Sequence, residues 1–71
     1  MTQDLKYSVT IEWSDDDQVY VAHVPELPGC SAHGHTYEQA VKEIEAAMAL
    51  WLEVAGKRGR SIPAPHTAAA A

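Results

Sequence analysis

The side chains that could do chemistry in this 71-residue chain fall into two groups, of which the first is a run of aspartates from Asp15 to Asp17. Divalent cations prefer clustered carboxylate oxygens, so the run has the composition of a metal site. Neighbouring side chains on a tight turn point in different directions, however, and no glycine or distal glutamate completes a calcium-loop spacing. The run is therefore predicted to be a solvated turn between two strands.

The second group contains Cys30, His33 and His35, with His23 as a candidate fourth ligand. Cysteine and histidine are the usual ligands of zinc. In a strand, Cys30 and His33 point to opposite faces, and no second ligand pair follows at zinc-finger spacing. A small buried thiol and solvent-facing histidines explain these residues better, so no metal and no other cofactor is expected.

The remaining carboxylates do not predict an enzyme. Two-metal nucleases need carboxylates that converge from separate strands. Here the strand carboxylates reduce to Glu12, while Glu43 and Glu45 lie on a predicted helix. The single cysteine has no fixed base beside it that would make it a nucleophile. Catalytic residues are therefore not expected in this chain.

Two alternating segments predict the first two strands. Residues 5–13 alternate between apolar and polar side chains, which is typical of a half-buried strand. Residues 18–24 form the second strand, and we expect Tyr20, Ala22 and Val24 to face the core because this choice leaves the other face, with its histidine, hydrated. The acidic turn joins the two strands.

The segment 24–40 takes the chain from strand to helix. A Pro-Gly pair at 28–29 predicts a tight turn, and residues 30–33 are expected to form a short edge strand antiparallel to the second. Thr36 stands at the N-cap position of a helix, and Gln39 follows at the spacing of a capping box.

One helix is predicted from Tyr37 to about Ala55. Its apolar residues recur at intervals of three and four and form one continuous stripe: Tyr37, Val41, Ile44, Met48, Trp51 and Ala55. Gly56 is expected to end the helix at the C′ position. Within the stripe, Trp51 is expected to lie against the first strand.

Residues 61–63 predict a fourth short strand, parallel to the first because it follows a crossover helix. The fold class is therefore α+β, a two-layer sandwich of β-β-β-α-β order. Its mainly antiparallel sheet has strand order 3-2-1-4, with one helix packed across it. The domain is expected to span residues 1–63, with a disordered or weakly ordered tail at 64–71.

Length and charge limit the classes of partner. The chain is long enough for one small domain, whose core leaves a stability of roughly 3–5 kcal/mol, so we expect a homodimer or higher oligomer. A net charge of -5 argues against direct DNA binding and favours a basic protein partner. No apolar run approaches the ~20 residues that cross a membrane, and a single cysteine fits a reducing compartment, so a cytoplasmic protein is expected.

The turn-to-helix segment also resembles a known family. Pro-Glu-Leu-Pro-Gly-Cys at 25–30, then Gly34-His35-Thr36 with Glu38 and Ala40, resembles the signature of the HicB family. The resemblance covers roughly residues 5–63. It implies a partial RNase H-like fold and the antitoxin of a type II toxin–antitoxin pair. Such an antitoxin neutralises HicA, a small basic mRNA ribonuclease with a catalytic histidine, by direct protein–protein binding.

Many members of that family add a C-terminal domain that binds the promoter of their own operon. Only six residues follow Pro65, so the resemblance implies a short form without that domain. The side chains expected to contact the toxin are Asp15, Asp16, Asp17, Glu26, His33 and His35. A second hypothesis stays open: a stand-alone oligomeric HicB-like module, including one that binds a small molecule, without a toxin partner.

Overall fold

The computed structural model of the protein describes residues 6–65. Three strands, β1 (Thr10–Ser14), β2 (Val19–His23) and β3 (Ser31–Gly34), precede one helix, α1 (Tyr37–Lys57). Both strand pairs are antiparallel and the sheet order is β1-β2-β3, so β3 is an edge strand as predicted. The described residues form an α+β fold with a three-stranded antiparallel sheet and one helix.

The predicted fourth strand is not formed in this part of the chain. Residues 60–65 pair with no strand, so the sheet does not have the predicted order 3-2-1-4. Pro63 has no N–H to donate to a sheet ladder, which disfavours pairing at this point. The segment still approaches the start of the chain, because the hydroxyl of Tyr7 donates to the Pro63 carbonyl at 2.6 Å. Leu5 of the first predicted strand and residues 66–71 of the predicted tail lie outside the described residues.

The register of β1 and β2 confirms which face of β2 is inward. Ile11 pairs with Ala22 and Trp13 with Tyr20, which places these four side chains on the helix side of the sheet. Ala22 is fully buried and Val24, just after β2, is 2% exposed. β1 is shorter than predicted, since the described residues before Thr10 form no strand.

The loop after β2 adds a side chain to the core. The N–H of Cys30 donates to the carbonyl of Leu27 at 3.0 Å, which closes a turn over Pro28 and Gly29. Gly29 has a φ of +80°, as the second central position of a type II turn requires, in agreement with the predicted tight turn. Leu27 is fully buried beneath this turn.

The start of α1 agrees with the sequence pattern. The Oγ1 of Thr36 accepts from the N–H of Gln39 at 3.0 Å, so Thr36 is the N-cap. The Oε1 of Gln39 accepts from the N–H of His35 at 2.7 Å, one residue earlier than in the usual capping box. These two bonds satisfy exposed donors at the point where β3 passes into the helix.

The end of α1 differs from the prediction. The helix continues through Gly56 to Lys57, and Gly59 takes the left-handed conformation with a φ of +67°. The N–H of Gly59 donates to Gly56 at 3.2 Å and that of Arg60 donates to Ala55 at 2.9 Å. This pair of bonds is a Schellman motif, which satisfies the last carbonyls of the helix. The predicted helix end at Gly56 is therefore wrong, and Gly59 is the C′ residue.

The helix covers β3 and β2 rather than the whole sheet. A helix is ~10 Å wide and strands lie ~4.8 Å apart, so one helix covers about two strands. The buried core between them consists of Ala22, Val24, Leu27, Cys30, Ala40, Ile44 and Met48. Trp51 lies away from β1, contrary to expectation: its Nε1 donates to the Pro28 carbonyl at 2.9 Å. Within residues 6–65 no helix has the length and apolarity to span a membrane.

Candidate partner-binding surface

The acidic turn forms as predicted and its own side chains fix its shape. It occupies residues 15–18, between β1 and β2. Gln18 has a φ of +55°, and its Nε2 donates to the carbonyl of Asp15 at 2.7 Å. The hydroxyl of Ser14 donates to Oδ2 of Asp17 at 3.3 Å. All three aspartates are exposed, so the turn presents their charges to solvent.

A row of three aromatic rings starts at Trp13, beside this turn. It consists of Trp13, Tyr20 and Tyr37, and we call it the aromatic row. The ring centroids of Trp13 and Tyr20 are 5.0 Å apart and those of Tyr20 and Tyr37 are 5.7 Å apart, both edge to face. Trp13 is 47% exposed and Tyr37 is 57% exposed, whereas Tyr20 between them is half-buried. The row therefore offers two large aromatic surfaces to solvent.

Sequence reasoning missed this row because it assigned all three rings to the core. Trp13 and Tyr20 do lie on the helix side of the sheet, and Tyr37 does start the helix. The helix covers only β2 and β3, which leaves the helix side of β1 open at Trp13. The predicted element count could have revealed this, because one helix covers about two strands and three or four strands were predicted.

Glu26 does not lie with the aspartates. It follows β2 at the end opposite the acidic turn, and the five residues of β2, about 16 Å long at ~3.3 Å per residue, lie between them. Its Oε2 accepts from the backbone N–H of Ser8 at 3.1 Å, and the side chain is half-buried. The carboxylate joins the segment before β1 to the loop after β2, which is a structural role.

The two histidines of the predicted site are exposed and lie in different places. His33 pairs with Val21, so its side chain is on the face of β3 opposite the helix. Gly34 pairs with Tyr20, which places His35 at the end of the sheet that carries the acidic turn. The structure thus brings His35 towards Asp15, Asp16 and Asp17, and separates His33 and Glu26 from them.

Cys30 is a buried thiol, as predicted, with 4% of its surface exposed. Burial raises the pKa of this thiol above its ordinary value, because the thiolate loses its hydration. Across residues 6–65, no three His, Cys, Asp or Glu side chains are placed to hold a metal ion together.

A shallow apolar groove lies at the other end of the helix, beside the start of β3. Its volume is about 320 Å³, and it is lined by Gly29, Cys30, Ser31, Ala47, Leu50, Trp51, Val54, Ala55 and Arg60. Leu50 is 61% exposed and Val54 39% exposed on its rim. The guanidinium of Arg60 lies 5.3 Å from the centre of the Trp51 ring, which is a cation–π contact.

Residues 7–71 match the family model described as HicB_like antitoxin of bacterial toxin-antitoxin system. The chain belongs to the HicB-like antitoxin family. This match confirms the resemblance carried by residues 25–40. The three strands and one helix of this HicB-like protein all fall within the matched range.

Relatives of similar size support the assignment. The HicB-like chain is 39% identical over 59 residues to a UPF0150 protein of Thermoplasma acidophilum, covering 83% of this chain and 84% of the relative. It is 36% identical over 50 residues to a UPF0150 protein of Archaeoglobus fulgidus, covering 70% and 71%. A UPF0150 protein of Synechocystis is 39% identical over 44 residues, covering 62% and 60%. No solved structure matches the chain significantly.

Proposed function

We propose that this HicB-like protein is the antitoxin of a type II pair and neutralises a small basic mRNA ribonuclease of the HicA type by direct binding. The family match over residues 7–71 carries the proposal. An exposed acidic turn on a chain of net charge -5 supports it, because opposite charges speed association. In this role the protein acts in the cytoplasm, where mRNA is the toxin's substrate, and has no catalytic activity of its own.

The end of the sheet with the acidic turn is the proposed contact surface. Asp15, Asp16, Asp17 and His35 lie at this end, so one partner surface is able to contact all four. His33 contributes only where the partner also reaches the far face of β3. Glu26 is proposed to support the contact indirectly, by holding the segment before β1 in place. The relation to a partial RNase H-like fold stays a prediction from the resemblance.

We also propose that the protein forms a homodimer through β3. An edge strand has open backbone donors and acceptors, and pairing with a symmetry mate would extend the sheet. The same pairing would bring two copies of α1 together and cover Leu50 and Val54, which are exposed beside β3. Sedimentation at micromolar concentration should show a dimer, and Leu50→Glu should shift it towards monomer. A parent that stays monomeric at hundreds of micromolar would exclude this dimer.

The antitoxin role is tested by RNA protection. The purified chain is mixed with the small basic protein encoded beside its gene, and cleavage of an mRNA is followed with time. We expect intact RNA when the chain is in stoichiometric excess, and cleavage when an unrelated acidic protein replaces it. Unchanged cleavage in the presence of excess chain would refute the antitoxin role. The stand-alone oligomeric module would then be the better hypothesis.

A further inference from the structure

The aromatic row exposes more aromatic surface than the fold requires. Trp13 and Tyr37 lie at its two ends, with about half of each side chain open to solvent. Tryptophan and tyrosine are enriched among the few residues that dominate binding at protein interfaces. Trp13 lies on the uncovered helix side of β1, so the row has room for a partner beside this strand.

Asp15 is oriented by hydrogen bonds at one end of this row. Its Oδ1 accepts from Nε1 of Trp13 at 3.3 Å and from Nε2 of Gln18 at 3.4 Å. Its Oδ2 has no hydrogen-bond partner among the described residues, and the side chain is exposed. The carboxylate therefore lies at the N–H edge of the indole ring with one oxygen available to a donor from outside.

A carboxylate at the edge of an aromatic ring whose face is open suits a guanidinium group. Arginine stacks its planar cation on a ring and donates hydrogen bonds to a carboxylate at the same time, which the compact ammonium of lysine does less well. This chain already uses the stacking half of that arrangement, where Arg60 lies over Trp51.

We propose that Trp13 and Asp15 bind the guanidinium of an arginine side chain of this protein's basic partner, and that Tyr37, at the other end of the aromatic row, contacts the partner beside that arginine. The identity of that partner rests on the proposed function, whereas arginine recognition does not. Charge complementarity selects this occupant: the chain carries a net charge of -5 and two more exposed aspartates adjoin Asp15. The acidic turn attracts a basic partner without setting its orientation. The arginine site adds a directional contact that fixes this orientation.

Two substitutions that each remove one negative charge distinguish binding at this site from general electrostatic attraction. Asp15→Asn keeps an oxygen that accepts from Trp13 but removes the charge. Glu53→Gln removes one charge from an exposed ion pair with Lys57, ~24 Å along the helix from Tyr37. At physiological salt this distance is about three Debye lengths, so Glu53→Gln is the matched control.

The first experiment uses a short oligoarginine peptide as the probe and follows both indole N–H signals by NMR. We expect the Trp13 signal to shift and saturate while the Trp51 signal stays in place, with oligolysine binding more weakly. Asp15→Asn should weaken oligoarginine binding about twofold to fivefold, as for an exposed ion pair, and Glu53→Gln should leave it unchanged. Equal shifts of both indoles, or equal effects of the two substitutions, would overturn the proposal.

The second experiment measures affinity for the basic protein encoded beside the gene. Tyr37→Ala and Trp13→Leu should each weaken binding about tenfold or more, as expected for residues that dominate an interface. Ile62→Ala removes an equally exposed apolar side chain beside Pro63, at the other end of β1, and should have no effect. Circular dichroism and thermal melting identify any variant that loses the fold, and the Tyr37 variant leaves every residue of β1 unchanged.

The two proposals fail in different ways. If the parent chain protects RNA but Tyr37→Ala binds the basic protein as well as Ile62→Ala does, the arginine site is wrong and the antitoxin role stands. If the parent chain fails to protect RNA while oligoarginine still binds selectively at Trp13, the antitoxin role is wrong and the arginine site stands.

Discussion

Replacing Gly34 with alanine should push the first turn of the helix away from the sheet and destabilise the fold. Gly34 is the last residue of β3 and is buried beneath the first turn of α1. An added Cβ would lie 2.8 Å from the carbonyl carbon of Gln39 and 2.8 Å from the Cα of Ala40, and it would overlap the nitrogen of Ala40. These are backbone atoms of a capped helix, so no side-chain rotation relieves the contact.

The size of the effect follows from the distance that the helix must move. Ordinary contacts begin at 3.4 Å, so the first turn must withdraw by more than 0.6 Å, the difference from 2.8 Å, because the nitrogen of Ala40 would be closer still. A gap of ~0.5–1 Å removes a quarter to a half of the dispersion energy of each affected contact. Overpacking of a core costs ~1–3 kcal/mol, and a rigid neighbour places Gly34→Ala near the upper end. That is most of the roughly 3–5 kcal/mol expected for so small a core.

The assay is thermal and urea denaturation of two alanine variants. Gly34→Ala should lower Tm by about 10–20 °C. Gly56 is helical, has no positive φ, and a Cβ there would meet no atom within 4 Å. Gly56→Ala should therefore stabilise the protein by about 0.5–1 kcal/mol, whereas Gly34→Ala destabilises it. A Gly34→Ala variant that melts within a few degrees of the parent would show that the helix does not lie this close to β3.

Three further predictions follow from the turn, the buried thiol and the charge. Changing all three aspartates at 15–17 to asparagine should slow association with a basic toxin and reduce its salt dependence in stopped-flow experiments, with an unchanged Tm; an unaffected on-rate would exclude the turn from the contact. Burial raises the pKa of the Cys30 thiol in the folded state, so the parent should lose stability relative to Cys30→Ala as pH rises above ~8.5; parallel urea midpoints from pH 8 to 10 would contradict this. In gel shifts with its own upstream DNA, the chain should form no complex tighter than the non-specific range of ~10⁻⁶ M, and a nanomolar, sequence-dependent complex would point to Lys57, Arg58 and Arg60.

The sequence predicted those elements whose signals are local. Thr36 with Gln39 marked the start of the helix, because capping uses side chains three residues apart. The Pro-Gly pair at 28–29 marked a type II turn, because each residue restricts its own φ. Burial of Ala22 and Val24 followed from alternation along one strand. In each of these cases the controlling interaction lies within a few residues.

The features that the sequence did not predict depend on contacts between distant segments. Alternation placed Trp13 on the correct face but carried no information about where the helix would lie. Glu26 read as an acidic surface group, although its partner is the N–H of Ser8, 18 positions earlier. Gly56 was predicted to end the helix, but the helix ends before Gly59, where Arg60 also contacts the ring of Trp51, a residue nine positions earlier. The sequence therefore predicted the charged residues of the candidate site, but it did not predict that aromatic rings are exposed beside them.

The hydrogen bond between Tyr7 and Pro63 has a consequence for how the protein tolerates attachments. It joins positions 56 residues apart, so both ends of the described chain leave the domain from one corner. That corner is at the end of β1 opposite the acidic turn and the aromatic row. A fluorophore or surface tether attached at position 6 or 65 should therefore lie away from the proposed contact and leave partner binding unchanged.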